Sequence, residues 1–523
     1  MINNKNKVSG MKNNTNQRST WNSQIGFLLA AIGSAIGLGN IWRFSYLTFE
    51  YGGGAFLIPY FTALFVAGIP LMILEYGVGH REQGASPLSL ARIHTNTEWI
   101  GWWMPMAAMF GIMLYYAVII GYCVIYFLLS LNLSWGTDTQ DFFFTSLLQI
   151  SDSPLNLGGL RLPITTATLF VWVICWVICY QEINHGIELA CKIFIPLLFV
   201  LTLILVVWGF TLPGAMQGIK TYLTPDFEIL KQFDVWTAAF GQIFFTLSLG
   251  FGIMITYASY LPRKTNIFGN ALITSITNCL FSFVAGFAVF SVIGFMAHKA
   301  GLPISKVIKE GPQLAFVVYP EAINNLPFMR STFGMIFFFV LIIAGISSGI
   351  SLIEAFTCAF KDKFGWDRKK VVSMICIIGF AGSVIFTTRA GLMLLDITDH
   401  FVTNYGLIFG GIVECVIIGW ILKSHKLRSH INTFKTSEYF KIGFWWDICI
   451  RFVTPAALTF ILLKALTKEL QAPYGDYPLD AVILFGVDWI IILGIVSVSL
   501  TFYPWKPELL KRKHIPEDEH LLT

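Results

Sequence analysis

The residues of this sequence best suited to chemistry are neutral oxygen donors set inside apolar runs. One run reads Gly33-Ser34-Ala35-Ile36-Gly37-Leu38-Gly39-Asn40-Ile41-Trp42-Arg43, and a second Gln242-Ile243-Phe244-Phe245-Thr246-Leu247-Ser248-Leu249-Gly250-Phe251-Gly252. A third reads Ala344-Gly345-Ile346-Ser347-Ser348-Gly349; Asn278 and Ser282 stand four residues apart, on one face of a helix, and Tyr115-Tyr116 adds two phenols. Amides, hydroxyls and backbone carbonyls suit a hard monovalent cation such as sodium, and no soft or nitrogen-rich cluster offers itself to a transition metal. Taken singly, each feature has a packing explanation: Gly33 and Gly37 form a small-residue contact face, and buried serines bond back to their own helix. The third glycine, Asn40 and Arg43 are not needed for packing. With no catalytic triad, HExxH or phosphate loop, the chain reads as a binding or transport protein and not an enzyme.

The elements that must position these groups are membrane helices. Of the 523 residues 55% are hydrophobic and 12% charged, about half the usual charged share, and the mean hydropathy is +0.68. This excludes a soluble fold, and a net charge of +5 spread along the chain is too weak to imply nucleic-acid binding. Apolar runs recur from Trp21 to Tyr503, giving twelve spans centred about residues 34, 66, 115, 172, 199, 248, 283, 346, 379, 408, 454 and 490. Residues 1–20 are polar and basic with no apolar h-region, so they are expected to be a cytoplasmic tail. The transmembrane domain is then 21–503, with a second cytoplasmic tail over 504–523. Lys and Arg concentrate in the segments this orientation places inside, including Arg263-Lys264 and 423–441. The outer loop with Gly311-Pro312-Gln313-Leu314-Ala315-Phe316 is expected to form a short helix acting as a lid. The cysteines fall mostly in apolar segments, which reads as buried thiols, and the outer loops hold no pair for a disulfide.

Glycine costs about 1 kcal/mol relative to alanine in a helix, and lipid offers no hydrogen bonds to a freed backbone. Spans one and six break both rules, and they lie five helices apart. Interrupted segments at matching positions of two five-helix halves point to an inverted-repeat transporter whose half-helix ends and freed carbonyls build a midplane site. The expected fold is an all-α integral membrane protein of twelve transmembrane helices in a 5+5 inverted repeat, with helices 1 and 6 broken.

The chain resembles the neurotransmitter:sodium symporters over almost its whole length. The resemblance is carried by Gly37-Leu38-Gly39-Asn40-Ile41-Trp42-Arg43-Phe44, Gly52-Gly53-Gly54-Ala55-Phe56-Leu57-Ile58-Pro59-Tyr60, Phe245-Thr246-Leu247-Ser248-Leu249-Gly250-Phe251-Gly252 and the outer-loop Gly311 to Phe316 block. Ser45 and Tyr51 depart from the usual proline and asparagine, beside the gate rather than in the site. The resemblance implies a first sodium on the Ala35 carbonyl, Asn40, Thr246, Asn278 and the substrate carboxylate. A second would lie among Gly33, Ile36, Ala344, Ser347 and Ser348. The substrate carboxylate would meet the Leu38 and Gly39 amides at a half-helix N-terminus and the Tyr116 hydroxyl; the amine would take carbonyls of Ala35, Phe245 and Thr246, with Ser248. Ile112, Tyr116, Phe245, Phe251, Ser348, Gly349 and Leu352 would line the side-chain pocket, whose lack of charge implies neutral amino acids. Gly37, where amine-carrying relatives have aspartate, leaves room for a carboxylate.

Chloride is implied at Tyr60, Gln242, Thr246, Asn278 and Ser282, because relatives that do not need it place a carboxylate where Ser282 stands. Arg43 with Asp399 would close the outside, with Phe251 and Tyr116 forming the lid over the substrate; Arg18 with Asp362, backed by Trp21 and Tyr260, would form the inner gate. The expectation is a sodium- and chloride-coupled symporter of neutral amino acids in the plasma (cell inner) membrane, both termini cytoplasmic, working by alternating access. The rivals are a sodium-only transporter, a non-transporting amino-acid sensor, and a proton-coupled transporter. The last would want a titratable residue near the broken helices, where Asn278 and Ser282 provide none.

Overall fold

The computed structural model describes residues 20–309, 311–434 and 441–511. Among them no strand forms beyond two isolated bridges, Gly53 with Pro225 and Leu160 with Thr388. Ten continuous helical spans are long and apolar enough to cross a membrane: Gly54–Glu82, Thr95–Leu129, Leu162–Tyr180, Ile187–Phe210, Ile267–Ala300, Arg330–Phe364, Arg368–Thr387, Gly391–Ile421, Phe444–Asp476 and Leu479–Thr501. In chain order these are spans 2 to 5 and 7 to 12. Span 1 is the pair Gln24–Ala35 and Leu38–Glu50, bent by 69°. Span 6 is split into Phe233–Thr246 and Ile253–Ala258, each half too short to cross alone. The all-helical bundle and both breaks agree with the expected architecture.

Burial separates centre from rim. The most apolar stretch of span 8 is 89% buried inside the protein and that of span 11 only 17%, so span 8 is a central post and span 11 presents its Phe and Leu side chains outward to lipid. Span 1 packs on spans 5, 7 and 8. Gly33 permits that approach, since a Cβ there would come within 2.8 Å of the Ile195 side chain. Wide π-type turns interrupt span 3 at Ala107–Met113 and span 10 at Val402–Leu407, beside Tyr115-Tyr116 and Asp399 respectively. Such turns redirect side chains without ending the helix.

The expected outer helix is present and longer than the sequence suggested, running as Gly311–Gln313, a π turn over Leu314–Val318, and Tyr319–Asn325. Phe316 seats this segment over the outer half of span 1, its ring 6.4 Å from Trp42 and stacked on Phe143 at 5.5 Å. On the opposite face, Trp505 packs on Leu88 and Ala91 of the short helix Ser86–Ile93, with Lys363 Nζ 4.3 Å from its ring. The segment expected to be a tail thus begins as packed structure.

Candidate functional site

The first break is made by Gly37. Helix Gln24–Ala35 ends at Ile36 (φ −78°, ψ 104°), Gly37 is fully extended, and a short 3-10 turn over Leu38–Asn40 restarts the chain in a new direction. Asn40 holds the turn by accepting the Gly37 N–H on Oδ1 at 2.8 Å. A Cβ at Gly37 would lie 3.1 Å from the Tyr116 hydroxyl and 3.2 Å from Ser348 Oγ, so the break is tightly enclosed. The second break runs through Ser248, Gly250 and Gly252, all at positive φ (54°, 77° and 71°). Two glycines supply a conformation that a side chain resists, and Ser248 reaches it with its hydroxyl donating to the Ser34 carbonyl across the gap at 3.1 Å.

Breaking a helix frees its last carbonyls, and here they converge. Ser348 Oγ stands 3.4, 3.2 and 3.1 Å from the carbonyl oxygens of Gly33, Ser34 and Ile36. Ser347 Oγ donates to the Ala344 carbonyl at 3.0 Å. One face of span 8 and the end of the inner half of span 1 therefore form an oxygen cluster that brings Gly33, Ile36, Ala344, Ser347 and Ser348 together. The second cluster lies across the break. Asn40 Nδ2 donates to Asn278 Oδ1 at 2.9 Å and to Ser282 Oγ at 2.8 Å, while Asn278 Nδ2 donates to Thr246 Oγ1 at 3.2 Å. These four side chains are buried, and Ala35, also buried, ends the adjacent half-helix.

Near this second cluster lie buried polar groups with unused capacity. Both polar atoms of the Gln242 amide, one turn before Thr246, are buried without a hydrogen-bond partner, and the buried Tyr60 hydroxyl faces Ser282 and Cys279. A buried donor left unsatisfied costs about 1–3 kcal/mol. An anion accepting from Tyr60 Oη, Gln242 Nε2 and Ser282 Oγ would meet that need.

The space between the breaks is bounded by Tyr116, whose hydroxyl accepts the Leu38 N–H at 3.4 Å, and by the rings of Phe245 and Phe251, 6.4 Å apart. Gly39 is tight against Phe245, where a Cβ would come within 3.3 Å of the ring. Ile112 and Leu352 are buried on spans 3 and 8. Gly349 turns its Cα–H toward Met113 and Cys175, so it bears on the pocket through backbone rather than through the direction a side chain would take.

The profile of one protein family, described as the sodium:neurotransmitter symporter family, matches residues 18–140 and 132–504. The chain belongs to this family. Over 484 residues it is 46% identical to an uncharacterized sodium-dependent transporter of Methanocaldococcus jannaschii, covering 92% of this chain and 97% of that one. It is 30% identical to the sodium- and chloride-dependent neutral and basic amino acid transporter B(0+) of Mus musculus (94% of this chain, 87% of the relative) and 31% identical to its Homo sapiens counterpart (93% and 87%). Its kin are transporters, not enzymes.

In this symporter-family chain the residues expected at the two gates differ in their contacts. At the expected outer gate, Asp399 accepts the Tyr115 hydroxyl and the Arg43 guanidinium lies 5.1 Å over the Phe245 ring. Among the described residues the two form no direct ion pair; Tyr115, close to both charges, stands between them. The residues expected to close the inner face are packed together. Trp21 N–H donates to the Tyr260 carbonyl at 3.3 Å and its Nε1 to the Tyr257 carbonyl at 2.9 Å, and Asp362 accepts the Ala85 N–H at 2.8 Å. Arg18 lies outside the described residues.

Sequence reasoning missed the acids behind this closure. Glu354 accepts the Tyr260 hydroxyl at 2.9 Å and is gripped by Arg368 through two bonds of 2.9 and 2.7 Å. Glu188 of span 5 accepts the Asn22 N–H at 2.8 Å and the Ser23 hydroxyl at 3.1 Å, anchoring the start of span 1. The signal was available: Glu354 sits seven residues, two helical turns, after Ser347 on the same face, and an intramembrane acid is costly unless used. The expectation that no titratable residue adjoins the broken helices is also corrected. Glu75 of span 2 accepts the Gly250 N–H at 2.8 Å, within the second break; it was overlooked because nothing in the local sequence of span 2 names its partner.

Proposed function

We propose that the chain is a sodium- and chloride-coupled symporter of neutral amino acids, cycling by alternating access around the two breaks in the cell's inner (plasma) membrane with both termini cytoplasmic. The observation that carries the reading is the pairing of freed helix-1 carbonyls with Ser348 on one side and the Asn40, Asn278, Thr246 and Ser282 cluster on the other. The first cluster, with Gly33, Ile36, Ala344, Ser347 and Ser348, would hold one sodium between a moving helix and the central post. The second, with the Ala35 carbonyl, would hold another in contact with the substrate carboxylate.

Chloride is supported by the buried Tyr60 hydroxyl facing Ser282 and by the unpartnered Gln242 amide one turn before Thr246, because two sodium ions with no fixed carboxylate among their ligands repel each other and a nearby anion offsets that. The substrate carboxylate would lie on the Leu38 and Gly39 amides and the Tyr116 hydroxyl, the amine on the Ala35, Phe245 and Thr246 carbonyls with Ser248. The neutral class rests on the lining of Ile112, Phe245, Phe251, Ser348, Gly349 and Leu352, which brings no charge to the side chain. Arg43, Asp399, Phe251 and Tyr116 would close above it and Trp21, Tyr260, Asp362 and Arg18 below. Sodium would lock span 1 to span 8, and its departure would release the inner half of span 1.

The test is calorimetric binding of neutral and of basic amino acids to the purified protein in sodium chloride, sodium gluconate and potassium chloride. Binding of neutral amino acids only when sodium and chloride are both present supports the reading. Equal binding in gluconate removes chloride, and tighter binding of lysine or arginine removes the neutral class.

A further inference from the structure

The second break has acidic company that sodium and substrate do not use. Glu75 of span 2 and Glu414 of span 10 are both fully buried. One oxygen of Glu75 takes the Gly250 N–H, with the Ile255 backbone alongside. Its other oxygen and both oxygens of Glu414 have no hydrogen-bond partner; span 10 lies against the same turn, where a Cβ at Gly410, one helical turn before Glu414, would fall 3.7 Å from the Gly250 carbonyl oxygen, and the two carboxyl groups act on each other electrostatically. The other titratable groups facing the pair are Tyr76, engaged with Thr274 at 3.1 Å, and Cys415. No lysine, arginine or histidine among the described residues acts on either acid.

Two ionised carboxylates in a dry interior would suffer both desolvation and mutual repulsion, with three oxygens offering lone pairs to nothing. One proton removes most of that penalty, leaving Glu414 neutral and a single charge on Glu75, which the Gly250 N–H already serves. We propose that Glu75 and Glu414 form a proton-binding site: Glu414 carries the proton, and Glu75 remains ionised on the Gly250 amide. The pair titrates as a unit rather than as two separate acids.

The site is wired to the break. The remaining negative charge is steadied by the Gly250 N–H, and Gly250 lies in the left-handed turn that joins the halves of span 6. A rearrangement that withdraws this N–H leaves Glu75 without its donor and favours uptake of a second proton; restoring the bond releases it. By linkage, pH then shifts the balance between conformations of the break even though no proton touches the substrate.

Infrared spectroscopy of the full-length protein in lipid tests the assignment. A neutral-carboxyl C=O band is expected near neutral pH and is expected to disappear in Glu414→Gln and to shift in Glu75→Gln. Glu414→Gln keeps the shape and donor of the protonated acid, so it should retain sodium-dependent substrate binding while flattening the pH profile that the wild type shows. A wild-type spectrum with no neutral-carboxyl band near neutral pH overturns the proposal, whatever the folding of the variants, and is also the outcome if a bound cation rather than a proton bridges the acids. A Glu414→Gln pH profile that superimposes on the wild type overturns it as well. The spectroscopic arm is independent of the symport reading, so failure of one is distinguishable from failure of the other.

Discussion

At position 282 a hydroxyl stands where the resemblance places a carboxylate in chloride-independent relatives. Ser282 accepts from Asn40 and donates to the Asn278 carbonyl at 3.3 Å, and the buried Tyr60 hydroxyl faces it. A carboxylate at this point would supply the negative charge that chloride is proposed to bring. Ser282→Glu is expected to bind substrate equally well in sodium gluconate and sodium chloride. The wild type should lose at least tenfold in affinity on the same exchange, about 1.4 kcal/mol, and calorimetry in the two salts reads both. That Asn40, Thr246, Asn278 and Ser282 come together was legible in the sequence, because an amide and three glycines in an apolar run exceed what packing alone needs. Glu75, Glu354 and Arg368 were not legible in the same way: each is satisfied by a group far off in sequence, and an acid among apolar neighbours does not announce its partner.

The breaks themselves were readable from glycine content and from their five-helix spacing, whereas the wide turns of spans 3 and 10 were not, since they leave the apolar pattern uninterrupted. The inner closure joins three elements through one acid: span 6 by Tyr260, span 8 by Glu354 and span 9 by Arg368. Removing one member of a buried ion pair leaves the other uncompensated, at about 3–5 kcal/mol. Glu354→Ala is therefore expected to loosen the inner face, seen as faster thiol labelling of a cysteine introduced at Ser259 than in the otherwise identical protein. At the outer face, Thr139 and Trp135 bond the Val317 carbonyl and Asn324 at 3.0 and 2.9 Å, docking one loop on the lid helix. Glu321 on that helix has its carboxyl raised above the usual range, chiefly by burial and also by Asp138. The protonated form is the one the docked loop favours, so its contribution is complete below the ordinary carboxylate range and is lost as pH rises through the raised value. Hydrogen exchange over Tyr319–Asn325 should accelerate across that window in the wild type and stay level in Glu321→Gln; water screening keeps the effect small.

The molecule as a whole places an oxygen-lined centre between a closed inner face and an outer gate whose two charges are not directly joined. That arrangement fits the proposed carrier loaded from outside, in which sodium would bridge the first span to the central eighth. On the proposed coupling, two sodium ions, one chloride and a zwitterion would carry one net positive charge, so an inside-negative potential would add about 2.3 kcal/mol per 100 mV to uptake. The most direct measurement is accumulation of radiolabelled neutral amino acids in proteoliposomes under an inward sodium gradient, with the membrane potential set by potassium and valinomycin. The account predicts accumulation that requires sodium, fails when chloride is replaced by gluconate, and quickens when the interior is made negative. Binding without any sodium-driven accumulation would contradict it, leaving a sensor built on a transporter fold.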